Sequence, residues 1–230
     1  MDKVFFALPN LSVGFGGASS PTEVATSLQV LILLTVLTIA PSFLIMMTSF
    51  ARVVIVLSFV RSALGTQQSP PTQLIVGLSL FLTLLIMMPT FKKINEEALQ
   101  PFSSGQISQE VAIEKGLDPL RDFMFRQTRK KDLALFIHLS KMKRPKNKKE
   151  VPTHILISAF IVSELKTAFQ MGFAVFIPFL VLDIVIASLL MSMGMMMLPP
   201  VMISLPFKIL LFIMIDGWSL ITRSLVLSFK

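Results

Sequence analysis

Four long apolar stretches, broken by prolines and by single ionisable residues, set the main limit on how this chain can fold. They cover residues 28–60, 74–88, 155–197 and 201–227. The chain is 53% hydrophobic and 15% charged, whereas soluble domains carry roughly 25% charged residues. The length and separation of these stretches predict an all-α, membrane-associated protein.

The stretches are poor candidates for ordinary membrane spans. A span needs about 20 apolar residues, but the stretch 74–88 has 15, and the stretch 28–60 has 33 with Pro41 inside. A charged side chain that faces lipid costs roughly 2.5–3.5 kcal/mol, so we expect the ionisable residues to face protein or water as pore or interface charges. These residues are Arg52, Glu164, Lys166, Asp183, Lys208 and Asp216. The pattern predicts helices that pack into an assembly.

A weak repeat marks two turns between apolar stretches. Both turns have a glycine, four residues and then two prolines: Gly65 with Pro70 and Pro71, and Gly194 with Pro199 and Pro200. Glycine can end a helix in the left-handed conformation, and proline suits the first turn of the next helix. We therefore predict two long, kinked helical hairpins whose tips lie on one side. The predicted divisions are an N-terminal segment 1–27, a first hairpin 28–89, a polar helical subdomain 90–152, and a second hairpin 153–230 with a methionine-rich tip.

The net charge of +8 is concentrated in the polar subdomain. Residues 92–150 hold fourteen of the 21 Lys and Arg residues together with eight acids. This excess is typical of a loop in a membrane protein and does not indicate nucleic-acid binding. Amphipathic helices are predicted at Gln109–Lys115 and Pro119–Leu139, followed by a basic linker at Lys141–Glu150. Residues 1–27 lack the pattern of a signal peptide.

Nothing in the sequence predicts an enzyme or a cofactor. The chain has no cysteine and only two histidines, which excludes thiol chemistry. Asp183 and Asp216 are candidates for a carboxylate pair that shares a proton. The favoured alternative is that these acids cap helices, reach an interface or pair with Lys166 or Lys208.

Five of the fifteen methionines fall within residues 191–197. Three interpretations are open: core packing, favoured for Met191 and Met193; a Cu(I) site; and a deformable apolar constriction. The first turn has Thr-Gln-Gln-Ser where the second has Met-Met-Met-Leu, so the turn itself does not require methionine. The apolar tip indicates contact with copies of itself or with a passing ligand. A Cu(I) membrane transporter and a structural scaffold around another protein's pore remain alternatives.

Several blocks, in order, resemble one known family. MMTSFARVVIVLSFVRSALGTQQSPP, SELKTAFQMGFAVFIPF, SMGMMMLPP, ISLPFKILLF and DGW resemble the FliP family of the flagellar type III export gate, from about residue 28 to the C-terminus. The homologous virulence secretion family shares MGMMM and LPFK, but the other blocks are more similar to the flagellar branch. The resemblance implies a pore in the bacterial inner membrane, at the flagellar basal body, that passes unfolded flagellar subunits. It also implies a pentameric ring of copies with FliQ, FliR and FlhB as partners.

The resemblance also implies roles for particular residues. Met195, Met196 and Met197 match a gasket around the closed pore, and Lys208 matches a lysine that pairs with a glutamate of a neighbouring subunit. Glu164 and Lys166 match charges that line the pore. Counting basic residues places the segment 92–150 in the cytoplasm, whereas the family places it on the outer face with the methionine tips toward the cytoplasm. We follow the family for this expectation.

Overall fold

The computed structural model describes residues 21–66, 68–142, 145–195 and 198–229. These residues form helices and the links between them, without a strand, which confirms the predicted all-helical class. The chain divides into two units, Met1–Pro41 and Ser42–Lys230. The α-helices are α1 (Pro21–Met47), α2 (Phe50–Leu64), α3 (Thr72–Ile94), α4 (Gln100–Ser103), α5 (Gln109–Gln127), α6 (Lys130–Leu139), α7 (Thr153–Ser192), α8 (Pro200–Met214) and α9 (Gly217–Leu227).

The turn between α2 and α3 begins at Gly65. This residue has φ +74°, and its N–H donates to the carbonyl of Ser62 at 3.1 Å. Helix α3 then begins directly after Pro71. The side chain of Arg61 donates to the Thr72 hydroxyl at 2.9 Å, so the last turn of α2 and the first turn of α3 are tied together across the connection.

The turn between α7 and α8 has the same frame. Gly194 has φ +75°, and the N–H of Met195 donates to the carbonyl of Leu190 at 3.0 Å. Pro199 stands before the first residue of α8, and Pro200 is that first residue. Met196 and Met197 lie outside the described residues. At both turns glycine ends one helix and a proline stands directly before the next, because glycine tolerates positive φ and the start of a helix does not need the N–H that proline lacks.

The polar subdomain is helical, but its helices run past the prolines. Helix α3 continues through Pro89 to Ile94, and a π-helical segment, Asn95–Leu99, joins it to α4. The two predicted amphipathic pieces are helical as well. They are divided differently from the prediction: α5 runs through Pro119, and the break falls at residues 128–129 before α6. The basic linker holds a single 3₁₀ turn at Lys148–Glu150.

Two clusters of buried side chains hold the second unit together. The first lies around α2, which packs most extensively against α7 and also touches α3 and α8. The second joins the end of α3, α5 and the beginning of α7 through residues such as Met87, Phe123 and Phe160. Because α2 and the first half of α7 contribute to these clusters, their polar side chains are carried into the protein interior.

The expectation that the apolar stretches are poor candidates for membrane spans was wrong for three of them. Three helical segments are long and apolar enough to do so: Leu28–Met47, Thr72–Ser103 and Thr153–Ser192. Helices α8 and α9 qualify together as a pair bent by 63°. For the stretch 74–88 the prediction failed because it ended the helix where the apolar residues end, whereas α3 continues into polar sequence.

Candidate functional site

Among the described residues, the most deeply buried charges are Arg52 on α2 and Glu164 on α7. Their side chains are 2% and 0% exposed. Arg52 Nε donates to Glu164 Oε2 at 2.9 Å, and Arg52 Nη2 donates to Glu164 Oε1. This is a two-pronged guanidinium–carboxylate pair, the strongest form of such a contact. A buried pair of this kind is strongly destabilised when one partner is removed.

The other donors of Arg52 are also satisfied, and they reach the C-terminus and α5. Nη1 donates to the carbonyl and hydroxyl oxygens of Ser228, at 3.1 and 3.0 Å. Nη2 donates to Gln127 Oε1 at 3.1 Å. With the two bonds to Glu164, all five guanidinium donors have an acceptor. We call Arg52, Glu164, Gln127, Ser228 and Phe229 the Arg52 cluster.

The ring of Phe229 covers the guanidinium group at the centre of the Arg52 cluster. The carbon of the Arg52 guanidinium lies 3.7 Å from the centre of the Phe229 ring, a cation–π contact. The same ring stacks on Phe123 of α5 with centroids 6.1 Å apart. Gln127 Nε2 donates to the Phe229 carbonyl at 3.2 Å. The last residues of the chain therefore connect the polar subdomain to the α2–α7 ion pair.

A neighbouring contact fixes the beginning of α6. Ser163, beside Glu164 on α7, donates its hydroxyl to Asp132 Oδ2 at 2.7 Å. The N–H of Arg129 donates to the Ser163 hydroxyl at 3.1 Å. The block SELK thus carries two adjacent polar residues that hold different elements: Ser163 holds α6, and Glu164 holds α2.

A second ion pair joins α7 to α8. Lys208 Nζ lies 2.6 Å from Asp183 Oδ2, with side-chain exposures of 4% and 25%. Ser204, one turn earlier on α8, donates its hydroxyl to Asp183 Oδ1. A Cβ placed on Gly65 would lie 3.8 Å from Lys208 Nζ. The turn between α2 and α3 therefore lies close to this ion pair. Asp183 is thus paired with Lys208 and is not part of a carboxylate pair with Asp216.

The remaining predicted charges are not brought into either cluster. Lys166 on α7 is exposed. Asp216 is exposed at the bend before α9, with φ +49°, a conformation uncommon for a residue with a side chain. Among the described residues, no three His, Asp or Glu side chains are grouped as a metal site would require.

The described part of the methionine-rich tip is largely exposed in the single chain. Met191 and Met193 are 60% and 69% exposed, and Met195 is partly buried. The interpretation of Met191 and Met193 as core residues was wrong, because they lie at the end of α7, outside both core clusters.

No sequence pattern identified Gln127, Ser204, Ser228 or Phe229 as part of the site. Each is a common residue without a motif, and the two that bind Arg52 are 75 and 176 positions away from it. The sequence offered only an indirect indication. An arginine inside an apolar stretch, such as Arg52, needs hydrogen-bond acceptors, and Glu164 supplies two of its five acceptors.

The fold and the two ion pairs define an all-helical protein with helices long and apolar enough to span a membrane and with Arg52–Glu164 and Lys208–Asp183 paired within the chain. The FliP family profile matches residues 33–225. The "Flagellar biosynthetic protein FliP" of Bacillus subtilis (strain 168) is 55% identical over 220 residues, which cover 96% of this chain and 100% of the relative. The protein of the same name from Borreliella burgdorferi is 56% identical, covering 90% of this chain and 83% of the relative. That from Pectobacterium carotovorum is 56% identical, covering 88% and 79%. The chain belongs to the FliP family, and the predicted resemblance is confirmed.

Proposed function

We propose that this chain is a pore-forming subunit of the flagellar type III export gate, which passes unfolded flagellar subunits across the bacterial inner membrane at the flagellar basal body. Membership of the FliP family supports this proposal, as do relatives whose names describe flagellar biosynthesis. In this proposal copies of the chain form a pentameric ring together with FliQ, FliR and FlhB. The chain takes part in protein transport and catalyses no reaction.

The observation that carries the proposal is the bare apolar surface of α7. Only 11% of the 18-residue stretch that makes α7 apolar enough to span a membrane is buried within the chain. Residues such as Phe173, Val181 and Leu189 are 63%, 52% and 59% exposed along its length. Exposed apolar area of this extent marks contact with protein or membrane. A ring of copies, in contact with lipid or with partner subunits, would cover it.

The placement of charge supports an apolar closure for the pore. Arg52, Glu164, Lys208 and Asp183 are already paired within the chain. The tip after α7 offers methionine instead, and unbranched thioethers repack readily around different shapes. In this proposal Met195, Met196 and Met197 of all copies form a gasket, and a narrow apolar constriction excludes ions by dewetting.

Lys208 has a second proposed role in the assembled ring. Its ammonium group has three donors, and the described contact with Asp183 uses one of them. The proposal assigns a glutamate of the neighbouring subunit as an additional partner, as the family resemblance implies. The resemblance implies that Glu164 and Lys166 line the pore, but the side chain of Glu164 is 0% exposed and paired with Arg52. Of these two, Lys166 is exposed and thus available to another subunit or the pore.

Sidedness is part of the proposal: residues 90–152 face outward and both turns face the cytoplasm. The contacts of Phe229 with Gln127 and Phe123 of α5 support a shared side for the C-terminus and the polar subdomain. The chain has no cysteine, so a Lys146→Cys variant gives a single label. Labelling by an impermeant maleimide from the outside is expected. Labelling from the cytoplasm alone would reverse the assignment.

An ion-leak measurement tests the gate. Replacement of Met195, Met196 and Met197 by alanine should make the membrane permeable to small ions while the complex still assembles, because three flexible side chains are removed from the constriction. The matched control replaces Thr66, Gln67 and Gln68 of the first turn by alanine and should not leak. An assembled methionine variant with no more leak than the control would reject the gasket.

A further inference from the structure

A basic cavity lies where the apolar part of α3 ends. It has a volume of about 430 Å³ and lies between α3, α5 and the 3₁₀ turn Lys148–Glu150. Its lining includes Pro89, Lys93, Pro119, Asp122, Arg126 and Lys148. Three cations and one acid give the lining a charge of +2. Two prolines contribute a rigid apolar surface beside these charges.

The wall of the basic cavity that carries Lys148 is held in place by α5. Arg121 Nη2 donates to the carbonyl oxygens of Lys148 and Val151, at 3.1 and 2.8 Å. Arg121 Nη1 donates to the Thr153 hydroxyl at the beginning of α7. Lys148 Nζ lies 5.6 Å from the centre of the Phe125 ring. The backbone of the third basic residue is therefore fixed opposite α5.

The positive charge of the basic cavity is balanced only in part, by Asp122. In the part of the chain that the structure describes, the ion pairs are Arg52–Glu164, Lys208–Asp183 and Lys92–Glu96. The first two lie elsewhere, and the third involves the neighbour of Lys93. Lys93, Arg126 and Lys148 thus face a common space without a described acid within ion-pair distance. Such an arrangement favours an anionic ligand.

An exposed apolar stripe on α3 leads to the basic cavity. Phe81, Leu85 and Met88 are 74%, 57% and 60% exposed. Their spacing of four and three residues places them on one helical face, and Pro89 follows at the cavity. This stripe belongs to the segment Thr72–Ser103, which is apolar and long enough to span a membrane.

We propose that the basic cavity binds the phosphate of an anionic phospholipid, whose acyl chain lies along the Phe81–Met88 stripe. Basic pockets at the ends of membrane helices bind lipid headgroups through this chemistry. The stripe argues for a lipid and against free phosphate, because inorganic phosphate would use the charges and leave the apolar surface bare. The site is independent of the proposed export pore.

Native mass spectrometry of the full-length chain in mild detergent tests the site. The probes are palmitoyl-oleoyl phosphatidylglycerol and phosphatidylcholine at equal concentration. The chain should retain phosphatidylglycerol preferentially. Replacing Lys93, Arg126 and Lys148 by glutamine should remove that preference. Each single change should weaken retention about fivefold, which corresponds to about 1 kcal/mol for each basic residue near an anionic lipid.

Two further variants distinguish lipid binding in the basic cavity from an effect of overall positive charge and from misfolding. The control replaces Lys130, Lys131 and Lys146, which are exposed and do not line the basic cavity, by glutamine and should keep the preference. Asp122→Asn removes the only acid of the lining and should strengthen retention of phosphatidylglycerol. Equal retention of both lipids by the unmodified chain, or an unchanged preference in the triple cavity variant, overturns the proposal. Displacement of the lipid by millimolar inorganic phosphate overturns the assignment to a phospholipid.

Discussion

The guanidinium carbon of Arg52 lies 3.7 Å from the centre of the Phe229 ring, although the two residues are 177 positions apart in the sequence. The arginine belongs to an apolar helix, and the phenylalanine is the second residue from the C-terminus. Phe229 also stacks on Phe123 of α5. One aromatic ring therefore covers the buried ion pair and attaches the polar subdomain to α2 and α7.

Glu164→Gln should strongly destabilise the chain. The substitution leaves the buried Arg52 charge without its counter-ion, and breaking a buried pair in this way costs about 3–5 kcal/mol. The measurement is the free energy of unfolding of the detergent-solubilised chain, titrated with a denaturing detergent. The control is Lys166→Gln on the same helix, which is exposed and should change that free energy by less than about 0.5 kcal/mol. Equal effects of both substitutions would contradict the assigned pair.

Phe229→Ala should loosen the polar subdomain while the helices of the hairpins stay formed. The alanine removes a cation–π contact worth roughly 0.5–2 kcal/mol and the stacking on Phe123. We expect faster hydrogen exchange at α5 amides in the variant and little change in the central turns of α7. Phe229→Tyr keeps the ring and should restore protection. If the tyrosine variant exchanges as fast as the alanine variant, the ring contacts are not the cause.

The features that local sequence determines were predictable. Glycine and proline at fixed spacing identified both turns, and helical periodicity identified the segments that became α5 and α6, because these signals depend on neighbouring residues. The position of Pro89 was a poor guide to the end of α3. A proline removes one backbone donor, but the residues that follow it are still compatible with a helix.

Tertiary partners were not predictable in the same way. The apolar surroundings of Arg52 indicated that it needs acceptors, but nothing local identifies Gln127 or Ser228 among many polar residues. Those contacts depend on how α5 and the C-terminus pack against α2. The exposure of Met191 and Met193 was also missed, because methionine is common both in cores and at adaptable surfaces.

Gly172→Ala should destabilise the contact between α2 and α7. A Cβ on Gly172 would lie 2.5 Å from Phe59 Cγ and 2.9 Å from Phe59 Cβ. The ring and the helix behind it would have to move, and overpacking of this kind costs about 1–3 kcal/mol. Thermal aggregation of the solubilised chain is the measurement, and a lower midpoint is expected. The control is Gly77→Ala on α3, where a Cβ meets nothing within 4 Å; alanine there should raise the midpoint, since it favours helix by about 1 kcal/mol. A Gly172→Ala midpoint at or above that of the parent would contradict the close approach.

Lys208→Ala should impair both the chain and its assembly. Within the chain it leaves Asp183, which also accepts from Ser204, without its cation. The cost is about 3–5 kcal/mol for a buried pair, toward the lower end because the Asp183 side chain is 25% exposed. On native gels of the solubilised membrane we expect loss of the high-molecular-weight complex. A normal complex yield would contradict the prediction.

A charge exchange separates the two roles of Lys208. Combining Lys208→Asp with Asp183→Lys restores an intrachain pair but places a carboxylate where a neighbouring subunit's glutamate would approach. If the lysine serves only the α7–α8 contact, the double variant should recover both the stability of the chain and the complex. If it also binds the neighbour, stability should recover while assembly stays impaired, because two carboxylates would face each other across the interface. The proposed inter-subunit contact predicts the second result, and recovery of the complex would limit Lys208 to its observed partner, Asp183.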